Sequence, residues 1–286
     1  MIHYEEPLFR PPAEAESLIF QVARGCPHNT CRFCAMYKGV RYRVRAEDEV
    51  AKEFAEAAGR YPGTRRIFLA DGDVMALPFP RLREMLESLN AHFPLLARVN
   101  LYANGRSIAG KSDAELAELR RRKLNTLYVG LETGDEDLLR AVDKRDTAAG
   151  MAEAVGRAQA AGLKCSVMVL LGLGGKAGSE RHAAQTAAVL NRMQPRLLSA
   201  LRFVDVPGTA MAAGYAPMSE YEVIVELIDL LNGLALEKTV FRANHTSNPV
   251  PLEGRLPKDR DRLVIELRAL LPELDRTGPG RLPLML

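Results

Sequence analysis

Six short apolar segments, separated by stretches of helical character, constrain this chain more than any other feature of its sequence. Each segment is of strand length, rich in Val, Leu, Ile, Phe or Tyr, and bounded by Gly, Pro or polar residues, which is the pattern of buried parallel strands. Six strand–helix units in succession predict an α/β fold with a parallel sheet. The segments are residues 17–25, 65–73, 97–105, 125–134, 164–175 and 197–206.

The stretches between these segments carry the start and stop signals of helices. Ser112 with Glu115, and Ser219 with Glu222, have the spacing of a capping box. Near-regular strand–helix units predict a partial (β/α)6 TIM-like barrel, with a doubly wound open sheet as the alternative. Either fold places ligands at the C-terminal ends of the strands. The predicted helices span residues 46–60, 80–92, 112–123, 147–161, 179–193 and 219–236.

The character of the sequence changes after the sixth unit. Residues 239–259 indicate one short strand followed by a proline-rich, irregular loop, and residues 259–271 form a last predicted helix. We therefore predict a core barrel over residues 17–236 and a C-terminal extension over residues 237–286 that packs on it. With 286 residues and 47% hydrophobic content, the chain can bury a large core without disulfides.

The overall charge gives little support to a polyanionic partner. The chain has 39 basic and 36 acidic residues, for a net charge of +3. This balance argues against nucleic acid or an anionic membrane as a partner. No signal peptide and no apolar run of ~20 residues is visible in the sequence. We therefore expect a cytoplasmic protein without a membrane span, in which thiols stay reduced.

Three of the four cysteines lie close together directly after the first predicted strand. Cys26, Cys31 and Cys34 have the spacing C-x4-C-x2-C. Three soft thiolates can hold three irons of a cubane cluster, and the fourth iron then lacks a protein ligand and can bind a small molecule. The alternative is a structural zinc, for which His28 would have to complete a Cys3His set from inside the loop. Cys165 lies in a predicted buried strand, where a thiol behaves as a small apolar residue.

This loop resembles the signature of the radical S-adenosylmethionine (SAM) enzymes, which is C-x3-C-x2-C with an aromatic residue before the last cysteine. Phe33 occupies the aromatic position, and the first gap is one residue longer here. The resemblance covers residues 17–206 and implies one 4Fe–4S cluster and SAM as cofactors. With Met36 and Tyr37, the loop is most similar to the broad group that includes oxygen-independent coproporphyrinogen oxidase-like proteins.

The resemblance implies SAM contacts at the ends of two further strands. Gly72 and Asp73 stand where the family has a Gly-Gly-Glu-like turn that holds the methionine amino group, although Asp-Gly-Asp is equally apt for a simple turn. Glu132 matches a position near the ribose or amino acid part of SAM. A buried carboxylate at a strand end requires a partner, and a salt bridge at a helix N-cap is the alternative to a ligand.

Two C-terminal segments complete the set of candidate residues. The fifth predicted strand ends in Leu171, Gly172 and Gly174, which resemble the family's adenine element, where glycines let the backbone approach a flat ring. Residues 241–248 are dense in hydrogen-bonding groups, and His245 is our candidate acid or base. The alternative is a loop whose Asn and Ser side chains satisfy its own backbone.

The resemblance implies that SAM is cleaved reductively to methionine and a 5′-deoxyadenosyl radical, which abstracts hydrogen from a small-molecule substrate. It also implies an external electron donor such as a flavodoxin or ferredoxin, and an oxidoreductase or transferase. The alternatives are the same chemistry on tRNA or protein, or a non-catalytic metal-binding module. Arg41, Arg43 and Arg45 alternate after the loop and form either a contact for an anionic substrate or a solvated basic edge.

Overall fold

The computed structural model describes residues 2, 4–207, 209–211 and 215–278. Strands and helices alternate along most of this length. The strands are β1 (Leu18–Gln21), β2 (Ala23–Arg24), β3 (Arg43–Val44), β4 (Arg66–Ala70), β5 (Arg98–Ala103), β6 (Leu124–Glu132), β7 (Lys164–Leu171), β8 (Leu197–Arg202), β9 (Thr239–Arg242) and β10 (Glu253–Leu256). The helices are α1 (Glu47–Arg60), α2 (Phe79–His92), α3 (Gly105–Ala109), α4 (Asp113–Arg121), α5 (Glu136–Ala141), α6 (Ala148–Ala160), α7 (Gly175–Met193), α8 (Glu220–Gly233) and α9 (Arg260–Leu270).

Eight strands form the main sheet, in the order β1-β4-β5-β6-β7-β8-β9-β10. β1 is parallel to β4, β4 to β5 and β5 to β6. The pairs β7–β8 and β8–β9 are also parallel, whereas β10 runs antiparallel to β9. β2 and β3 form a separate antiparallel pair. A largely parallel sheet with helices between successive strands confirms the predicted α/β class.

The chain divides into two compact units. The first consists of Met1–Asn29, Met36–Val129 and Arg157–Cys165, and the second of Thr30–Ala35, Gly130–Gly156 and Ser166–Leu286. In the first unit, the ring of Phe20 packs edge-on against Phe54 with centroids 4.7 Å apart. The buried Glu14 carboxylate accepts hydrogen bonds from Asn100 and Tyr128, which satisfies a charge that would otherwise be costly inside a core.

Helices α7 and α8 pack against each other in the second unit. A Cβ atom on Gly233 would lie 2.8 Å from the Cβ of Ala187, so the end of α8 approaches α7 too closely for a larger residue. Leu190 and Leu231 are completely buried. Capping boxes at Ser112 and Ser219, as predicted, begin α4 and α8.

Helices α3 and α5 were not predicted, and three further differences concern the boundaries of predicted elements. The first predicted strand is split into β1 and β2, which belong to different sheets. Helix α7 begins at Gly175, four residues before the predicted start. Gly174 is its N-cap residue and does not belong to a loop. Residues 239–259 hold two strands instead of one, and β9 continues the main sheet beside β8. The boundary of the predicted extension at residue 237 stays a prediction.

Within the described residues, no helix combines the length and apolar character that a membrane crossing requires.

Candidate active site

The first cysteine packs directly against a glycine at the end of β4. A Cβ atom built on Gly72 would lie 2.5 Å from the Cβ of Cys26 and 3.0 Å from its Sγ, well inside van der Waals contact. The Gly72 N–H also donates to the carbonyl of Gly25 at 3.1 Å. Gly72 is therefore required by the position of Cys26, in addition to any role toward a ligand.

The loop after Cys26 is held by the side chain of Asn29. This residue has a φ of 41°, in the left-handed region that asparagine adopts more readily than most residues. Its amide donates to the carbonyls of Tyr37 at 2.8 Å and Val40 at 3.3 Å, and its own carbonyl accepts from Lys38 at 3.0 Å. These hydrogen bonds hold the segment between Cys26 and Cys31 against the residues that follow Cys34.

Backbone hydrogen bonds position the other two cysteines, which belong to the second unit. The Cys34 N–H donates to the Cys31 carbonyl at 3.3 Å. Between them, Arg32 donates its N–H to Val142 at 2.8 Å and accepts at its carbonyl from Ala210 at 2.7 Å. Phe33 is half-buried in this segment.

Two acidic residues follow β4 and have different partners. Asp71 accepts from the Tyr37 hydroxyl at 3.2 Å and from the Gln21 amide at 3.3 Å. Burial raises the pKa of Asp71 to about 6, although both hydrogen bonds oppose the shift. Asp73 is buried and accepts from the Asn104 amide at 3.1 Å. The predicted contact residue Asp73 therefore sits in a polar environment at the end of its strand.

Glu132 ends β6 with its carboxylate folded back over Gly130. A Cβ atom on Gly130 would lie 1.9 Å from Glu132 Oε1, so only glycine leaves room for this side chain. Lys144 Nζ donates to the same oxygen at 3.2 Å, and both side chains are almost fully buried. Burial lowers the pKa of Lys144, but nearby negative groups, Glu132 first, outweigh burial and raise it above the usual value.

Glu132 has the partner that its burial requires, and this partner is Lys144, which the sequence did not indicate. The predicted contact of Glu132 with SAM stays a prediction. No helical or strand spacing links these residues, because Lys144 lies in the turn after α5. The only available signal was chemical, since a buried carboxylate at a strand end requires a nearby cation or donor.

The predicted adenine element forms a tight turn at the end of β7. Leu171 is buried, and Gly172 has a φ of 81°, a conformation that favours glycine. The Gly172 N–H donates to Glu226 Oε1 at 2.6 Å, and its carbonyl accepts from the Tyr215 hydroxyl at 2.9 Å. Gly174 is the N-cap residue of α7. Both backbone polar groups of Gly172 are therefore fixed by side chains from later in the chain.

His245 lies in a short turn after β9. Its Nδ1 accepts from the Ser247 N–H at 3.1 Å and is 2.9 Å from the Ser247 hydroxyl. Burial lowers the pKa of His245. Asn248 anchors the turn to β8, because its amide accepts from the Arg202 N–H at 2.8 Å and donates to the Ala200 carbonyl at 2.9 Å. A catalytic role for His245 stays a prediction.

Two of the three alternating arginines form ion pairs in the first unit. Arg43 pairs with Glu5, and Arg45 pairs with the buried Glu53. Arg41 is exposed. These partners favour the interpretation of the segment as a structured basic edge over that of an anion contact.

All four cysteines fall in the described part of the chain and are thiols rather than disulfides. Over the same residues, no group of three or more His, Cys, Asp or Glu side chains is arranged to hold a single metal ion. A cubane cluster has no such requirement, because each thiolate binds a different iron. The three thiols of the loop, with Gly72 leaving room beside Cys26, suit an iron–sulfur cluster.

The chain thus carries three thiols after the first strands of a largely parallel α/β sheet. The family model described as "Radical SAM superfamily" matches residues 20–185, which is more than half of the chain. The chain belongs to the radical SAM superfamily. As a member of this superfamily it is classed as an enzyme with a 4Fe–4S cluster and SAM as cofactors. Among curated proteins, no relative matches at a significant level.

The fold is also found in solved structures. The FeFe-hydrogenase maturase HydG from Carboxydothermus hydrogenoformans has 18% identity and a TM-score of 0.54, over 87% of this chain and 56% of that chain. Coproporphyrinogen III oxidase (HemN) from Escherichia coli has 16% identity and a TM-score of 0.57, over 76% and 52%. Methylornithine synthase (PylB) has 16% identity and a TM-score of 0.52, over 92% and 83%. The likeness confirms the partial TIM-like barrel as the fold class.

The matched region is about half the length of HydG and HemN. At this level of identity the comparison shows the fold alone.

Proposed function

We propose that this chain cleaves SAM reductively and uses the resulting radical to abstract hydrogen from a small-molecule substrate. The C-x4-C-x2-C loop, with Gly72 packed against Cys26, is the observation that carries the proposal. Cys26, Cys31 and Cys34 are proposed as ligands of three irons, which leaves the fourth iron for SAM. When bound, the cluster supplies one electron, and SAM is split into methionine and a 5′-deoxyadenosyl radical.

The atoms and electrons balance with one external reductant. A low-potential electron donor, such as a flavodoxin or ferredoxin, provides the electron that breaks the S–C5′ bond. In that chemistry a hydrogen atom would pass from a substrate C–H bond to the 5′ carbon, which would give 5′-deoxyadenosine and a substrate radical. The protein's residues bind and orient SAM and exclude water from the reacting groups.

The chain's own residues divide these tasks. Gly72 and Asp73 are proposed to meet the methionine part of SAM, where the Asp73 carboxylate can accept from an amino group. Glu132, held by Lys144, provides a charged pair at the end of β6 for the ribose or amino acid part. These roles rest on the resemblance, and the buried polar groups at the strand ends support them.

The adenine contact is proposed at the end of β7, where Leu171 provides apolar surface and Gly172 and Gly174 provide close backbone approach. Phe33 is proposed to pack beside the cluster. His245 remains a candidate acid or base at the end of β9.

A cytoplasmic location is proposed as well, because the thiols must stay reduced to bind a cluster.

A small molecule is favoured as substrate over tRNA because the net charge of +3 is close to neutral. Salt-dependent retention of RNA by the purified protein would support the other substrate class. Methyl transfer is the main alternative reaction of SAM, and it leaves S-adenosylhomocysteine instead of 5′-deoxyadenosine.

Anaerobic incubation with SAM, dithionite and a cell extract tests the proposal. We expect iron to be bound and 5′-deoxyadenosine to accumulate with the reconstituted wild-type protein, without S-adenosylhomocysteine. C26A should lose both iron and cleavage, and C165A is the matched control because its thiol is buried within β7. Cleavage by C26A equal to that of the wild type would contradict the cluster assignment.

A further inference from the structure

Buried polar side chains of the second unit lie beside two of the strand ends described above. Thr133 follows Glu132, and its Oγ1 is 2.7 Å from Nδ1 of His182 on α7. The other ring nitrogen, Nε2, is 3.6 Å from Oε1 of Glu226 on α8. Glu226 Oε1 accepts the Gly172 N–H at 2.6 Å. The three side chains are 1% exposed or less.

His182 and Glu226 both favour their neutral forms. Burial lowers the pKa of His182 to about 4, so the imidazole is uncharged at neutral pH. Burial raises the pKa of Glu226 to about 7, although the Ser179 hydroxyl and the Gly172 N–H oppose the shift. The pair is therefore not a conventional salt bridge, and replacing it by apolar residues would leave the Gly172 N–H without its acceptor.

The turn at Gly172 depends on this acceptor. Its φ of 81° is reached without strain only by glycine. On folding, glycine loses more conformational freedom than any other residue. Two side chains hold the Gly172 backbone in this conformation, because Glu226 accepts from its N–H and Tyr215 donates to its carbonyl. Neither Glu226 nor Tyr215 lies in a segment that the sequence analysis connected with SAM.

We propose that Glu226 is a positioning residue for SAM, which holds the Gly172 turn in the conformation that binds the cofactor. This inference rests on the proposed SAM contact at Gly172. Glu226 touches backbone rather than ligand, so it acts on the affinity for SAM and not on the chemical step.

The test measures the turn itself and the cofactor separately. E226L removes the acceptor, E226Q keeps an oxygen that can accept the Gly172 N–H, and Y215F removes only the donor to the Gly172 carbonyl. D229N is the matched control, because Asp229 is an exposed acid on the same helix. Hydrogen exchange of the Gly172 peptide is measured without SAM, and the Kd for SAM is measured on the reconstituted protein.

We expect E226L to increase exchange at Gly172 and to weaken SAM binding by about tenfold, the effect of losing one buried hydrogen bond to a backbone N–H. Cleavage at saturating SAM and iron content should stay within about twofold of wild type, so that KM changes and kcat does not. E226Q should restore most of the affinity. Y215F, a smaller change that is expected to fold normally, should give the same effects more weakly.

Several results would overturn the inference. These are unchanged SAM affinity in E226L and Y215F, equal defects in E226Q and E226L, or a loss of kcat at unchanged KM. If the wild-type protein neither binds nor cleaves SAM, the proposed function fails and the SAM role of Glu226 fails with it. If the wild type cleaves SAM but exchange and affinity do not respond to the variants, only the positioning role of Glu226 is refuted.

Discussion

Replacement of Gly72 by alanine tests the geometry of the cysteine loop most directly. The added Cβ atom would lie 2.5 Å from Cys26 Cβ and 2.8 Å from Cys26 Cα, whereas ordinary contacts begin near 3.4 Å. The neighbouring atoms must therefore separate by about 1 Å, and neither of these two can rotate away. The hydrogen bond from Gly72 to Gly25 resists the separation on the other side.

Overpacking of this kind costs about 1–3 kcal/mol, and we expect G72A to lower the free energy of unfolding of the apoprotein by about 2 kcal/mol. The larger effect should be on the cluster, because the displaced atom belongs to the backbone of a ligand. We expect less than about half of the wild-type iron after anaerobic reconstitution, since changes to residues that contact a metal ligand commonly cost about tenfold in metal affinity. Urea titration and iron analysis measure the two effects.

G59A is the matched control. Gly59 lies in α1, and a Cβ atom there would meet nothing within 4 Å. Alanine in a helix interior is favoured over glycine by up to about 1 kcal/mol, so this variant should be slightly more stable and keep its iron. Wild-type stability and iron content in G72A would refute the reasoning, because they would mean that Cys26 can move freely away from β4.

Further variants test the second unit and the fourth cysteine. G130A should displace the Glu132 carboxylate, which lies 1.9 Å from the new Cβ, and should weaken SAM binding measured by equilibrium dialysis. K144M leaves Glu132 buried without its cation and should lower the free energy of unfolding, measured by urea titration, by about 3–5 kcal/mol. An unchanged free energy of unfolding would show that the pair is dispensable. Because the pKa of Glu226 rises from 4.5 to about 7 on folding, the folded state binds this proton more tightly, and about 3 kcal/mol of stability present below pH 4.5 should be lost as pH rises through 7. E226Q should flatten that part of the pH profile. Burial raises the pKa of Cys165 to about 12, so iodoacetamide at neutral pH should spare this thiol in the folded protein and modify it only after unfolding.

Periodicity was sufficient for the sheet but not for its edges. All six predicted strands exist, because each is a run of apolar residues between turn signals, and local sequence determines that pattern. The split between β1 and β2 depends on a partner, β3, that lies about twenty residues later. β10 has no apolar pattern, since only Leu256 of its four residues is buried. A strand of this kind is formed by pairing with a neighbour, and pairing is not encoded in the strand itself.

The candidate site shows the same limit at the level of single residues. From the sequence, Gly72 and Gly172 were assigned to a ligand contact or a turn, and Gly130 was not singled out. In the structure the reasons are packing against Cys26, space for Glu132, and a left-handed turn at Gly172. A glycine records that something lies close to the backbone, and only the fold tells whether that is a side chain, a ligand or both.

The partners of these glycines were out of reach for a different reason. Lys144 and Glu226 come from a turn and a helix, and each meets its partner through chain reversals that no local pattern encodes. What the sequence does carry is a requirement: a buried carboxylate or a backbone N–H at a strand end must find a partner. Such a requirement says that a partner exists and what its chemistry is, but not where in the chain it lies. In this fold the polar groups of the strand ends lead outward to those partners, as the N–H of Gly172 leads to Glu226 on α8.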